Sequence, residues 1–265
     1  MTLQTPSPLL SVRNVTKSFG ALAAVKDLSF DVAEGEVLGI GGPNGAGKTT
    51  LFEVISGLNP ATAGSIVFAG RDITRASPEA ICHAGIARTF QLNAGFDSMS
   101  VRDTVRVAAY FGGANRGIPG LAIGRDVEAK VDATIAAVGL SGREHLVTGQ
   151  LAVLDRKLLM LASAIATAPK LLLLDEPVGG LNAKEIDQMM ALVRGLRARG
   201  ITVILIEHVM RFLVQLSSRV LILHHGTRIY EGSPSGLVRD RTVIDVYLGE
   251  GASKRLGSLL EARAE

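Results

Sequence analysis

Apolar positions along the chain follow two rhythms. Short β-branched or leucine-rich runs read as strands: SVRNV at 11–15, LSFDV at 28–32, EVLGI at 36–40, LLLLD at 171–175, ITVILI at 201–206 and RVLIL at 219–223. EVLGI has the character of a buried strand. Between these runs the apolar spacing turns helical, at 48–57, 101–110, 126–139, 156–168 and 184–198. Strand–helix alternation in the second half predicts an α/β fold on a largely parallel sheet. The early strands and the closing hairpin around HHGTRIYEG predict an antiparallel annex. The stretch from about 91 to 160 is mostly helical and predicts an inserted helical subdomain. One domain then covers 8–250, followed by a tail at 251–265. Its residues ASKRLGSLLEARAE are read as a frayed terminus in preference to a short amphipathic helix.

Composition narrows the classes. A hydrophobic content of 47% over 265 residues is ample for a large core, which excludes a disordered chain. A net charge of +3, no Trp and 4% aromatic residues give neither the electrostatic footprint nor the stacking platform of a nucleic-acid binder. The single Cys82 has no internal partner for a disulfide, which fits a reducing compartment. The start, MTLQTPSPLL, lacks the basic-then-apolar pattern of a signal peptide, so none is expected. The longest apolar candidate, 158–168, is broken by Pro169 and Lys170, well short of the roughly 20 residues a membrane span needs. A soluble chain is expected.

The most specific chemistry follows EVLGI. GGPNGAGKTT carries Gly42, Gly47, Lys48 and Thr49 in the spacing G-x-x-x-x-G-K-[ST], after a strand and before a helix. Glycines let the backbone N–H groups of Gly42, Pro43, Asn44, Gly45, Ala46 and Gly47 (all but the proline's) curl around a phosphate without Cβ obstruction. The helix that opens near Lys48, Thr49 and Thr50 adds its positive end to the anion site. Lys48 is suited to the β/γ oxygens of a nucleotide and the Thr49 hydroxyl to Mg2+.

Four further positions have chemistry that depends on company. LLLLDEP ends a buried run in Asp175, suited to a Mg2+ shell, and Glu176, suited to polarising a water; the alternative is a strand terminus with solvated acids. His208 in ITVILIEH either positions water at the γ-phosphate or is a structural histidine. Gln91 in ARTFQ is either a metal and water contact or a polar strand end. Phe19 in TKSFGAL either stacks on adenine or belongs to the core.

In sequence order, Phe19, GPNGAGKTT, Gln91, LLLLDEP, GGLN at 179–182 and His208 resemble the aromatic loop, Walker A, Q-loop, Walker B, D-loop and switch of the ATP-binding-cassette (ABC) ATPases. The resemblance runs over about 8–250. IARTFQ, LLLLDEPVGGLN, ITVILIEHVM and GTRIYEGSPSGLVRDRTVIDVYLGEG make the chain similar, more narrowly, to the ATPase subunits of branched-chain amino acid importers. The resemblance implies a P-loop NTPase core, ATP and Mg2+ as cofactors, and ATP hydrolysis coupled to transport. It further implies a peripheral place on the cytoplasmic face of the membrane. Its partners would be transmembrane permease subunits, a second cassette closing head to tail and, indirectly, a solute-binding protein.

One segment departs from the family pattern. LAVLDRK, at 151–157, stands where these ATPases carry LSGGQ or a close variant. Ala152 lacks the hydroxyl, and Val153 and Leu154 replace glycines. Asp155 brings a charge worth about 3 kcal/mol of repulsion per unit phosphate charge, at about 5 Å and an effective dielectric of about 20. Asp155 is expected to be the N-cap of a helix 156–168, with Arg156 and Lys157 offsetting part of its charge. The segment predicts an asymmetric pair with a second ATPase subunit of intact signature, in preference to a homodimer. The alternative is a regulatory cassette that binds ATP with little hydrolysis.

Overall fold

The computed structural model describes residues 7–89, 97–112 and 124–261. The first half runs β1 (Leu10–Phe19), β2 (Leu22–Val32), β3 (Val37–Gly41), α1 (Lys48–Ile55), β4 (Ala63–Phe68), β5 (Arg71–Asp72), α2 (Pro78–Ala84), β6 (Ile86–Arg88), α3 (Val101–Phe111) and α4 (Arg125–Val138). The second runs α5 (Val153–Ala166), β7 (Leu171–Asp175), α6 (Ala183–Ala198), β8 (Thr202–Ile206), α7 (Met210–Leu216), β9 (Arg219–His224), β10 (Thr227–Gly232), α8 (Pro234–Leu237), α9 (Arg241–Val243) and α10 (Glu250–Glu261).

The main sheet has the order β10-β9-β3-β8-β7-β6, parallel throughout except for the edge strand β10. LLLLD is apolar at every position before its terminal acid because β7 is covered on both faces. Leu172 and Leu174 face the core that contains α3, α4, α5 and α6, whereas Leu171 and Leu173 face the core shared with α1 and the annex. Each such burial is worth roughly 1.5–3 kcal/mol. The annex is a separate antiparallel sheet of order β2-β1-β4-β5. The closing hairpin does not join it as expected. β9 lies parallel to β3, so β10 becomes the antiparallel edge of the main sheet.

Helices α3, α4 and α5 pack on one another and form the expected helical subdomain. The tail differs from expectation: α10 is a formed helix that packs on α7 and α8 and buries Leu256. The period-3.6 face was present in the sequence, and α7 supplies the apolar surface that holds it.

Candidate functional site

The phosphate loop is built by close packing as much as by glycine content. Gly42 sits at φ 143°, and a Cβ there would lie 2.2 Å from the Leu223 carbonyl oxygen of β9. Gly47 sits at φ 98°, and its Cβ would lie 2.1 Å from the Ala24 carbonyl oxygen of β2. The β9–β10 turn pins the loop from the same side, Gly226 N–H donating to the Ala46 carbonyl at 3.1 Å. Asn44 and Gly45 stay exposed at the tip, Pro43 is half-buried and Ala46 is buried. Gly47 gives α1 no side-chain cap, so the first-turn N–H groups open toward the loop.

Lys48 is buried, and its Nζ donates to the carbonyls of Gly42 at 2.7 Å and Pro43 at 2.9 Å. An ammonium has three N–H bonds, so one remains for a phosphate oxygen. Burial pushes the Lys48 pKa down, against the upward pull of Glu176 and Asp175. The following Thr49 is exposed and Thr50 half-buried.

Asp175 ends β7 in a buried position. Arg88 of β6 donates to its Oδ2 at 2.8 Å, while Oδ1 is buried and has no hydrogen-bond partner. Burial raises the Asp175 pKa and the Arg88 guanidinium opposes the shift. The backbone N–H of Asp175 donates to the Thr89 hydroxyl at 3.2 Å. An orphaned buried carboxylate oxygen beside a glycine cradle fits a cation shared with phosphate oxygens. Among the described residues no cluster of three or more His, Cys, Asp or Glu offers a metal a full set of ligands.

Glu176 follows at φ 48°, an uncommon conformation for a non-glycine residue, held by its N–H to the Ile206 carbonyl at 3.0 Å. Lys157 of α5 donates to the Glu176 carbonyl at 2.8 Å. His208 Nδ1 lies 3.8 Å from Glu176 Oε1, so the two candidates are neighbours in space although 32 positions separate them (208 − 176). Phe19 is not a core residue: it is 47% exposed, with Lys17 Nζ 5.0 Å from its ring centroid on one face. Because Ala24 of the paired strand touches Gly47, the β1–β2 hairpin end bearing Phe19 lies beside the loop. Gln91 lies outside the described residues.

Three residues of this neighbourhood were not singled out from the sequence as site residues. Arg88 and Thr89 stand inside IARTFQ, and Glu207 stands directly before His208, so each was adjacent to a motif. Arg88 and Thr89 meet Asp175, and Glu207 meets Val178, across long stretches of sequence, which is why adjacency was the only signal.

The segment 151–157 corrects one expectation. The N-cap of α5 is Ala152, without a side-chain cap, and the helix begins at Val153. Asp155 is the third helical residue, 15% exposed at its side chain and ion-paired with Arg143. That pairing offsets the repulsion expected of a bare charge. Arg156 turns back to donate to the carbonyls of Leu151 and Gly149, each at 2.9 Å. The helix N-terminus therefore presents Val153, which is 45% exposed, and no hydroxyl.

Comparison with known proteins gives the family. The family model described as ABC transporter matches residues 25–179. The chain belongs to the ABC transporter family. Two relatives cover nearly its whole length. The high-affinity branched-chain amino acid transport ATP-binding protein BraF of Pseudomonas aeruginosa is 33% identical over 92% of this chain and 98% of that protein. LivG of Escherichia coli, described in the same words, is 32% identical over the same shares. Among solved structures, the ADP conformation of MJ1267, an ATP-binding cassette of an ABC transporter, superposes with a TM-score of 0.83. It is 28% identical and covers 91% of this chain and 99% of that one. This chain is accordingly an ABC ATPase cassette that binds adenine nucleotide. No described helix of the cassette is long and apolar enough to cross a membrane. Nothing in the comparisons supports a regulatory cassette with little hydrolysis.

Proposed function

We propose that this cassette hydrolyses ATP to drive an importer of branched-chain or related amino acids. The observation that carries the reading is the convergence of a buried Lys48 with Asp175, Glu176 and His208 at the mouth of a glycine loop that tolerates no Cβ at Gly42 or Gly47. In this reading Lys48 and the loop N–H groups hold the phosphates, Glu176 polarises the attacking water and His208 orients it. Phe19 offers its open face to adenine. Thr49, Asp175 and Gln91 would hold Mg2+, which when bound neutralises charge on the β and γ oxygens. The solute assignment rests on the names of BraF and LivG, since solute recognition lies outside an ATPase subunit.

The partners follow the same logic. A cavity of about 300 Å3 between the α/β core and the helical subdomain, lined by Leu58, Ile81, Thr104, Leu159 and Met160 among others, is suited to a permease segment at the cytoplasmic face. A solute-binding protein acts through that permease. The uncapped N-terminus of α5, with Val153 exposed in place of a glycine, favours a second ATPase subunit as the dimer partner over a second copy of this chain. Uptake of labelled leucine tests the whole assignment in cells that lack this chain. Restored wild type returns uptake and Lys48→Ala does not. Uptake of leucine, isoleucine and valine that is indifferent to the chain's presence contradicts the solute assignment.

A further inference from the structure

Glu207 is a carboxylate with 0% exposure that none of the roles above uses. It follows β8 directly before His208, and its backbone N–H donates to the Ile40 carbonyl of β3 at 3.3 Å. Its side chain accepts from two directions. Oε1 takes the Val178 N–H at 2.9 Å, two residues beyond Glu176. Oε2 takes the N–H groups of His208 and Val209, each at 3.1 Å. Both oxygens are therefore engaged by donors alone, an arrangement a carboxylate satisfies and a neutral amide does not. The half-buried Tyr247 ring packs beside Gly41, and its buried hydroxyl lies toward the Gly42 backbone and in the field of Glu207.

We infer that Glu207 is a positioning residue for ATP hydrolysis, a buried staple that holds the loop after Glu176 and the switch at His208 in one register. The inference rests on the roles proposed above for Glu176 and His208. Burial pushes the Glu207 pKa up, and three N–H groups that belong to the two segments flanking the proposed attack site oppose that shift. Removing it leaves Lys48, the glycine loop and Phe19 in place, so nucleotide binding persists. What is lost is the 3.8 Å relation between His208 and Glu176. A misplacement of about 1 Å at reacting groups costs on the order of 10²-fold in rate.

Glu207→Gln preserves shape while turning one acceptor into a donor that faces another donor. The experiment compares kcat and KM for ATP in the wild-type assembly, Glu207→Gln, His208→Ala and the double variant, with hydrogen exchange of the backbone amides alongside. The expected result is a kcat lowered by about tenfold to 10²-fold with KM within about twofold, and no further loss when Glu207→Gln is added to His208→Ala. A kcat for Glu207→Gln within about twofold of wild type overturns the inference, as do losses that simply multiply in the double variant. Wild type that binds ATP without turnover defeats the functional reading instead. The amides decide the staple independently of turnover and of how well the variant folds. Protected Val178, His208 and Val209 in wild type support it, and a freely exchanging Val178 overturns it.

Discussion

At Gly47 a single hydrogen in place of a methyl decides whether the loop closes. The backbone is in the left-handed region at φ 98°, and the Ala24 carbonyl oxygen occupies the space a Cβ needs. Gly47→Ala is predicted to cost at least about 1–2 kcal/mol from the conformation alone, and more from the contact. Its nucleotide affinity should fall as β2 is pushed from the loop. Denaturant unfolding and nucleotide titration check both, and an unchanged unfolding midpoint would show that the contact is not made. Such positions were legible because glycines at this spacing, between a buried strand and a helix that opens with Lys and Thr, suit little besides a phosphate cradle. Asp155 was not. A carboxylate before an apolar helix has the look of an N-cap, and only the fold brings Arg143 to it, twelve residues upstream and across a turn. Glu207 was equally silent, since its three donors come partly from a segment 29 positions earlier.

Among the helices, the contact between α3 and α4 is polar at its rim. Arg106 donates through Nε to Glu128 at 2.6 Å and Arg102 through Nη2 at 2.8 Å. These guanidiniums, Arg106 foremost, hold the Glu128 carboxyl down at about 2 against an ordinary 4.5. A value depressed in the folded chain adds stability above the unfolded value, lost as pH falls from about 4.5 toward 2. The group is near the surface, so the gain is modest and screened by salt. The excess melting temperature of wild type over Glu128→Gln should be present at about pH 6 and vanish across that window. A difference that does not change with pH contradicts the pairing. The long elements α3 to α6 were readable because each repeats its apolar face over several turns. The strand β6 has three residues, Ile86–Arg88, too few for any period to emerge, yet it carries Arg88 to Asp175. The hairpin β9–β10 was found as a hairpin but assigned to the wrong sheet, because a local pattern sets the pairing within a hairpin and not which neighbour β9 takes.

Over the whole molecule, two cores meet on either side of one parallel sheet, and the strand-borne candidate groups sit at the ends of its central strands. Lys48 follows β3, Asp175 ends β7 with Glu176 directly after it, and Glu207 and His208 follow β8. Helix α5 reaches the same point from the helical subdomain through Lys157 and the Glu176 carbonyl. Movement of that subdomain therefore bears directly on the residue proposed to polarise water, which is the coupling a transport ATPase requires. The fold class and the order of these groups could be read in advance; the tether could not, because nothing in LAVLDRK names its partner. The deciding measurement is ATP turnover by the assembly purified from membranes with its partners attached, comparing wild type with Glu176→Gln in this chain alone. A fall of about 10²-fold or more is expected, with bound ATP retained in both. Turnover that survives the substitution undiminished would mean that Glu176 does not polarise the attacking water.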